Sequence, residues 1–268
     1  MIPLSFCSLV TDKAATRGCP SYVWRAGQER RFQMIRRWAK LVVSRKMKGT
    51  AGVLDTDQRV LDVGCGVGMY TSAFQRESSH VFGIEVEHER GLKARKQTIP
   101  GQDPVDVVQS PGESLPFSDA VFDVVLSHEV LEHVADDRVC VAEMVRVTQS
   151  GGRIIIFVPN RLYPFETHGI FWRGRYHFGN APFVNWLPTP LRDRLVPHVR
   201  AYTIRELRRL FNGLPVKVLH HTQVFPGYDN IIARAPSLGR MLRIITYALE
   251  HTPLRIFGLS HLLVVEKD

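Results

Sequence analysis

The residues best suited to chemistry follow a short apolar segment, where three glycines alternate with other residues. Gly64, Gly66 and Gly68 come directly after Val60–Val63, and a helix is predicted to follow them. Glycine accepts a positive φ and, lacking a Cβ, lets a ligand approach the backbone amides. The pattern therefore predicts a strand-to-helix turn that binds a nucleoside cofactor, with Cys65 as a small filler inside it.

The glycine spacing separates this loop from the dinucleotide fingerprint, which has glycines at relative positions one, three and six. Met69 holds position six here, and Gly68 holds position five. Asp62 precedes the loop and is expected to orient it. Glu85 ends the next predicted strand, about 20 residues beyond the glycines, which is the usual separation for an acid that binds ribose hydroxyls. We assign Val86, the residue after it, to the same site.

Two further segments extend the pattern. Residues 113–133 contain the runs Leu-Pro-Phe, Phe-Asp-Val-Val and Val-Leu-Glu-His, and residues 151–160 contain Gly-Gly, an apolar run and Pro-Asn. With the glycine loop, they resemble the type 11 methyltransferase domain family of class I S-adenosylmethionine-dependent methyltransferases over residues 55–160. The resemblance implies S-adenosylmethionine as the cofactor, S-adenosylhomocysteine as the product and no metal.

The resemblance also implies roles for residues near the later strands. Ser127 and His128, at the end of the fourth predicted strand, would flank the methionyl group of the cofactor. Backbone groups of Gly112 and Glu113 would contact the adenine ring. The family commonly has an Asp where this chain has Pro111, so the adenine contact departs from the family pattern.

Strand and helix patterns alternate along the core, which predicts an α/β fold: a Rossmann-like, doubly wound sheet of seven mostly parallel strands. The predicted strands are residues 59–63, 81–85, 105–109, 122–126, 153–158, 216–224 and 262–266. The predicted helices are residues 26–47, 69–77, 87–97, 136–147, 204–211 and 238–250. Such sheets bind ligands at the carboxyl ends of their strands, where the glycine loop and Glu85 fall.

A chain of 268 residues is long enough for one such domain with additions. We divide it into a helical cap (1–50), a cofactor-binding core (55–160), an inserted lid (161–200) and the rest of the sheet (201–268). Prolines and glycines interrupt any regular period in the lid. Its aromatic rings suit a flat or lipid-like acceptor, and its arginines suit a phosphate or carboxylate. The alternative is that residues 161–200 form a packing subdomain instead of a substrate lid.

Methyl transfer to oxygen requires removal of the acceptor's proton, and histidine is the side chain that titrates nearest neutral pH. His128 and His168 are the first candidates for this base, and Glu129, Glu166 and His177 are the others. A structural role is the alternative for each of them.

A metal site is not expected. His128 and His133 are five residues apart, which places them about 140° apart around a helix rather than on one face. We expect His133 to be hydrogen-bonded in the core. The four cysteines, Cys7, Cys19, Cys65 and Cys140, show no close pairing, which argues against a zinc knuckle or a disulfide framework.

The formal net charge of +9 is compatible with an anionic partner: nucleic acid, an anionic membrane surface or an acidic substrate. The Asn/Asp-Pro-Pro-aromatic run of enzymes that methylate base amines is replaced by Ser127–Val130, so nucleic acid is disfavoured. No signal peptide or long apolar run is evident, and a cytoplasmic protein is expected. The prediction is methyl transfer to a small-molecule or lipid-linked acceptor, with oxygen favoured. The alternatives are an RNA methyltransferase and a non-catalytic cofactor-binding regulator.

Overall fold

The computed structural model describes residues 23–46, 58–78, 80–97 and 104–268, with the backbone alone for 40–46. Most of the predicted N-terminal cap, with Cys7 and Cys19, therefore lies outside the described residues. The helices are α1 Ala26–Lys46, α2 Met69–Gln75, α3 His88–Lys96, α4 Asp137–Val147, α5 Thr189–Leu195, α6 Ile204–Arg209, α7 Asp229–Arg234 and α8 Pro236–Leu249. The strands are β1 Arg59–Val63, β2 His80–Glu85, β3 Asp106–Gln109, β4 Phe122–His128, β5 Thr148–Pro159, β6 Phe165–Glu166, β7 Ile170–Trp172, β8 Arg175–His177, β9 Ala181–Pro182, β10 Val216–Val224 and β11 Ser260–Lys267.

A seven-stranded sheet organises the molecule, in the order β10-β11-β5-β4-β1-β2-β3. The pairs β1–β2, β1–β4, β2–β3 and β4–β5 are parallel, whereas β11 lies antiparallel between β5 and β10. The predicted doubly wound, mostly parallel sheet is confirmed. The strand order reverses direction between β1 and β4, and ligands bind doubly wound sheets at such a switch point.

Alternate residues of the central strands supply two hydrophobic layers. Leu61 and Val63 pack on one face with the helix α4, whereas Val60 and Val124 pack on the other with α1 and α2. Side chains on successive strand positions point to opposite faces, and a strand covered on both faces is apolar at nearly every position. This burial fixes the register of β1 and β4, and so fixes where their carboxyl ends meet.

The N-terminal helix α1 packs against β5 and against the helix that follows the glycine loop. Phe32, Ile35 and Ala39 are buried there. They recur at spacings of three and four residues, which is the period of one helix face. The helix is described as far as Lys46, and its predicted end at Met47 lies outside the described residues.

Residues 161–200 were expected to lack regular structure, but they form short elements. The ladders β6–β9 and β7–β8 have two or three residues per strand, and α5 and a 3₁₀ turn at Val184–Trp186 follow. A small cluster of Val184, Val196 and Val199 lies beneath them. Strands of two or three residues are too short to show an alternating pattern, which is why the sequence did not predict them.

The last part of the chain agrees closely with prediction. β10 spans the predicted residues, and Thr203 caps α6 in a reciprocal capping box with Glu206. A second 3₁₀ turn, Pro253–Phe257, precedes β11. Within the described ranges, no helix has both the length and the apolar character needed to span a bilayer.

Candidate functional site

The glycine loop turns sharply between β1 and α2. Gly64, Gly66 and Gly68 have φ values of 74°, 59° and 85°, a region that favours glycine. The amides of Gly64 and Cys65 both donate to the Ile84 carbonyl at 2.8 Å, which ties the loop to β2. A Cβ on Gly64 would collide with both methyl groups of Val130, whereas a Cβ on Gly66 would meet no described atom within 4 Å. The loop is therefore packed at its start and open at Gly66.

Glu85 ends β2 directly beside this opening. Its side chain is buried, and its Oε2 accepts from the Gly66 amide at 2.9 Å while its Oε1 accepts from the Glu87 amide at 2.9 Å. Two backbone donors leave further lone pairs on the carboxylate. The acid is thus fixed at the carboxyl end of β2, where it can accept hydrogen bonds from a ligand.

Asp62 is buried on β1 and accepts a hydrogen bond from the Thr71 hydroxyl at 2.7 Å. Burial raises the pKa of Asp62 to about 6, and the nearby Glu85 charge contributes, while the Thr71 hydrogen bond opposes the shift. The carboxyl group joins the strand before the loop to the helix after it. Cys65 is also buried, and burial raises the pKa of its thiol, so the residue packs rather than reacts.

The segment expected near adenine lies between β3 and β4. Val86 is exposed next to Glu85. The side chain of Glu113 accepts from the amides of Ala135 and Asp136, so its carboxylate fixes the approach to α4. Gly112 packs so closely on Cys140 that a Cβ there would collide with the thiol.

His128 lies half-buried at the end of β4. Arg31 donates to its Nε2 at 3.0 Å, and the Tyr70 hydroxyl lies 3.2 Å from the same nitrogen. Burial and the Arg31 charge lower the pKa of His128 to about 3. A lone pair already engaged by a guanidinium is poorly placed to remove a proton. Ser127, one residue earlier, has a buried hydroxyl without a hydrogen-bond partner among the described residues.

A positive φ of 57° at Glu129 turns the chain away from β4. The Glu129 Oε1 accepts from Arg31 at 2.9 Å and from the Ser260 hydroxyl at 2.7 Å. Burial raises the pKa of Glu129, but the charge of Arg31 opposes burial, and the pKa is lowered overall. Glu129 is therefore a fixed anion where α1, β4 and β11 meet.

The lid supplies an oriented histidine. The Nδ1–H of His168 donates to Glu166 Oε1 at 3.1 Å, and Arg192 donates to Glu166 Oε2 at 2.9 Å. Glu166 and Arg192 are both buried. Arg192 also donates to the Asn185 side chain and to the Val199 carbonyl, so this ion pair is well bonded. In the neutral imidazole, this hydrogen bond places the lone pair on Nε2.

The His128–His133 segment is not helical, contrary to the geometry assumed above, because the chain makes a turn after β4. His133 then faces the lid, and its ring centroid lies 5.6 Å from that of His168. Its Nδ1 is buried without a partner among the described residues, while the imidazole also interacts with the backbone of His198. His177 is exposed on β8.

Sequence reasoning missed several residues of the site: Arg31, Tyr70, Glu132 and Ser260. Arg31 was one of many basic residues in a helix, and nothing in its neighbours marks it. Ser260 lies 229 residues from Arg31 in the chain, yet the two are hydrogen-bonded at 2.9 Å. Only Glu132 had a local signal, since it lies within the Val-Leu-Glu-His run.

Comparison with known families identifies one region. A family profile described as a methyltransferase domain matches residues 61–156. An uncharacterized methyltransferase of Mycobacterium sp. (strain KMS) is 37% identical over 109 residues, which is 41% of this chain and 42% of that protein. The chain therefore spans less than half the length of that relative.

Two other comparisons cover more of the chain. A ubiquinone biosynthesis O-methyltransferase of Pectobacterium atrosepticum is 27% identical over 201 residues, covering 67% of this chain and 79% of that one. The crystal structure of a putative S-adenosylmethionine-dependent methyltransferase from Listeria monocytogenes covers 91% of this chain and 97% of that one, with a TM-score of 0.56 and 13% identity. The structural likeness supports the fold alone.

Proposed function

We propose that the protein transfers a methyl group from S-adenosylmethionine to an oxygen of a small-molecule or lipid-linked acceptor, and the match of residues 61–156 to the methyltransferase domain profile supports this. The observation that carries the proposal is the lid imidazole of His168. It is oriented by Glu166 and lies beside the turn that follows β4. The likeness to a ubiquinone biosynthesis O-methyltransferase supports oxygen as the acceptor atom.

We assign the cofactor to the carboxyl ends of β1, β2 and β4. Glu85 would accept from the ribose hydroxyls, and the open space at Gly66 would let the cofactor approach the loop. The buried, unpartnered hydroxyl of Ser127 would face the methionyl group. The proposed set is Asp62, Gly64, Cys65, Gly66, Gly68, Glu85, Val86, Gly112, Glu113, Ser127 and His128.

The reaction is an in-line displacement. The acceptor oxygen attacks the methyl carbon, the carbon–sulfur bond breaks, and its electron pair stays on sulfur to give S-adenosylhomocysteine. The acceptor's proton must leave, and we propose that His168 assists its removal, because the Glu166 hydrogen bond leaves Nε2 free. His128 is the weaker of the two histidine candidates, because its Nε2 already accepts from Arg31. The protein's main contribution is alignment and exclusion of water.

The cofactor assignment is tested by thermal unfolding, since a ligand bound by the folded state alone raises its apparent stability. S-adenosylmethionine and S-adenosylhomocysteine should stabilise the protein, whereas NAD should not. Glu85→Ala should lose this stabilisation. Glu89→Ala, which removes an exposed acid of α3, should keep it. Equal shifts in both variants, or a shift with NAD, would overturn the assignment.

An exposed apolar face supports a lipid-linked acceptor. On α8, Leu238, Met241, Ile244 and Ile245 are exposed, and Ile244 is 70% accessible. They recur at spacings of three and four residues, so they form one stripe along the helix. The exposed Arg234, Arg240 and Arg255 lie on α8 or beside it. An apolar stripe flanked by cations suits the surface of an anionic bilayer.

The membrane contact is tested by sedimentation with vesicles of phosphatidylcholine and phosphatidylglycerol. The wild-type chain should sediment with them, and the double substitution Met241→Ser with Ile244→Ser should remain in the supernatant. Val139→Ser, which removes an exposed apolar residue of α4, should behave as wild type. Sedimentation independent of the α8 residues would contradict the assignment. Acceptor affinity that falls steeply with salt would instead favour a nucleic acid.

A further inference from the structure

Three ligand-type side chains meet beneath the lid. Glu132 and His133 follow β4, whereas His168 lies between β6 and β7. Each offers one carboxylate oxygen or imidazole nitrogen, and these three atoms lie within 4.8 Å of one another. The Glu132 Oε1 and His133 Nε2 are 3.8 Å apart, beyond hydrogen-bond reach. Small side-chain rotations would bring all three to a single ion.

Glu132 is the member of this cluster whose side chain has no hydrogen-bond partner among the described residues. Its side chain is completely buried, and neither carboxylate oxygen has a hydrogen-bond partner among the described residues. A buried carboxyl group without a donor is costly, and a bound cation would remove that cost.

His168 and His133 are both suited to ligate. The Nδ1–H of His168 donates to the buried Glu166, which leaves Nε2 as a free donor atom. Carboxylates commonly orient metal-binding histidines in this way. The Nδ1 of His133 is buried without a partner among the described residues, and its Nε2 lies 3.8 Å from Glu132 Oε1.

We propose that Glu132, His133 and His168 bind a divalent first-row transition ion, with Zn²⁺ as the reference case. Two imidazole nitrogens and one carboxylate oxygen form a donor set that suits such ions. Three protein ligands leave a coordination position for another oxygen. The inference rests on the proposed function, because that oxygen would be the acceptor's.

The ion would refine the role of His168. A hydroxyl bound to a divalent cation has a lowered pKa, so it loses its proton to solvent without direct transfer to an imidazole. A cation held by Glu132, His133 and His168 would supply this activation, and the methyl transfer itself would keep the balance given above, with one proton released for each methyl group. With the ion bound, the Nε2 of His168 would be one of its ligands; without the ion, that nitrogen would be the proton acceptor proposed above.

The site is tested by calorimetric titration of Zn²⁺ into protein that has been treated with a chelator and dialysed. Wild type should bind one equivalent. Glu132→Gln and His168→Asn should weaken binding by more than about tenfold, the lower limit seen even for outer-sphere partners. His251→Asn, which removes an exposed histidine, should bind as wild type does. Glu132→Gln keeps the size and shape of this buried side chain, so the fold should persist.

Co²⁺ provides a second readout, because coordination by imidazole changes its visible absorption. The band should form with wild type and be absent with His133→Asn. Absence of stoichiometric binding by wild type, or equal binding by all variants, would overturn the metal site. Stabilisation by S-adenosylhomocysteine reports on the proposed function separately. If it persists while Zn²⁺ fails to bind, only the metal site is wrong; if it is absent, the proposed function fails.

Discussion

The proposed site has two halves with different construction, and Ser127 and His128 lie between them. In the proposed cofactor half, residues 62–113, Glu85 already accepts from the amides of Gly66 and Glu87. In the proposed acceptor half, residues 129–133 and the lid, Glu132 is buried and without a hydrogen-bond partner among the described residues. The acid of the first half thus has its donors before any ligand binds, whereas the acid of the second half lacks one. Preorganisation therefore belongs to the cofactor half, and specificity should reside in the acceptor half.

The largest effect should come from breaking the buried ion pair of the lid. Arg192→Met leaves Glu166 buried without its cation, which costs about 3–5 kcal/mol when one partner of a buried pair is removed. Urea unfolding should show this loss. Arg194→Met, on the exposed side of α5, should change stability by less than about 0.5 kcal/mol. Equal midpoints for the two variants would show that the lid does not depend on this pair.

Gly64→Ala should damage the cofactor half next most. The new Cβ meets Val130 and forces a non-glycine residue to φ 74°, with a combined cost of roughly 2–4 kcal/mol. Calorimetry should show weaker binding of S-adenosylhomocysteine. Gly151→Ala has the same φ but no described atom within 4 Å of the new Cβ, so it separates strain from collision.

A double substitution sharpens this test. Val130→Ala removes the methyl groups that Gly64→Ala would strike. Adding it should restore part of the lost affinity. If affinity is not restored, the collision is not the cause, and the two halves are less closely joined at this contact than the structure indicates.

Arg31→Gln should lower turnover more than it lowers cofactor affinity. Arg31 donates to His128, Glu129 and Ser260, and hydrogen bonds to charged groups contribute about 1.5–3 kcal/mol. Turnover should fall by roughly tenfold or more, whereas affinity for S-adenosylhomocysteine should remain within about twofold of wild type. Arg37→Gln, on the exposed side of α1, is the matched control. Equal losses of both quantities would show that the halves are not independent.

The smallest expected effect is a pH dependence of the stability that arises from His261, outside the proposed site. His261 donates from Nε2 to the Tyr202 carbonyl at 2.8 Å, and its Nδ1 lies 3.2 Å from His221. Burial lowers the pKa of His261 to about 4 from an ordinary 6.5. The unfolded chain therefore takes up a proton first, so the contribution to stability is present above pH 6.5 and is lost as the pH falls towards 4.

Urea unfolding at pH 7.5 and pH 5 checks this sign. Wild type should lose stability at the lower pH, and His261→Gln should lose less. A larger loss in the variant would contradict the assignment. The variant should still lose some stability at pH 5, because burial also lowers the pKa of His221.

The sequence predicted the sheet and the glycine turn well because both have short-range signals. Alternating apolar runs gave the central strands, and glycine spacing placed the loop beside Glu85. The acceptor half has no such signal. The orientation of His168 depends on the distant Arg192 through Glu166, and the turn at Glu129 required a positive φ that a non-glycine residue rarely adopts. The geometry assumed for His133 was wrong for that reason.

The contact between Arg31 and Ser260 has a consequence for synthesis of the chain. Ser260 follows Arg31 by 229 residues, and β11 enters the sheet between two strands that precede it. At about 5–20 residues per second, a ribosome needs roughly 10–50 seconds to add that length. During that interval Glu129 has one of its two donors, and β5 waits for its antiparallel neighbour. A nascent chain can thus form the glycine turn well before Glu129 and β5 have all of their partners.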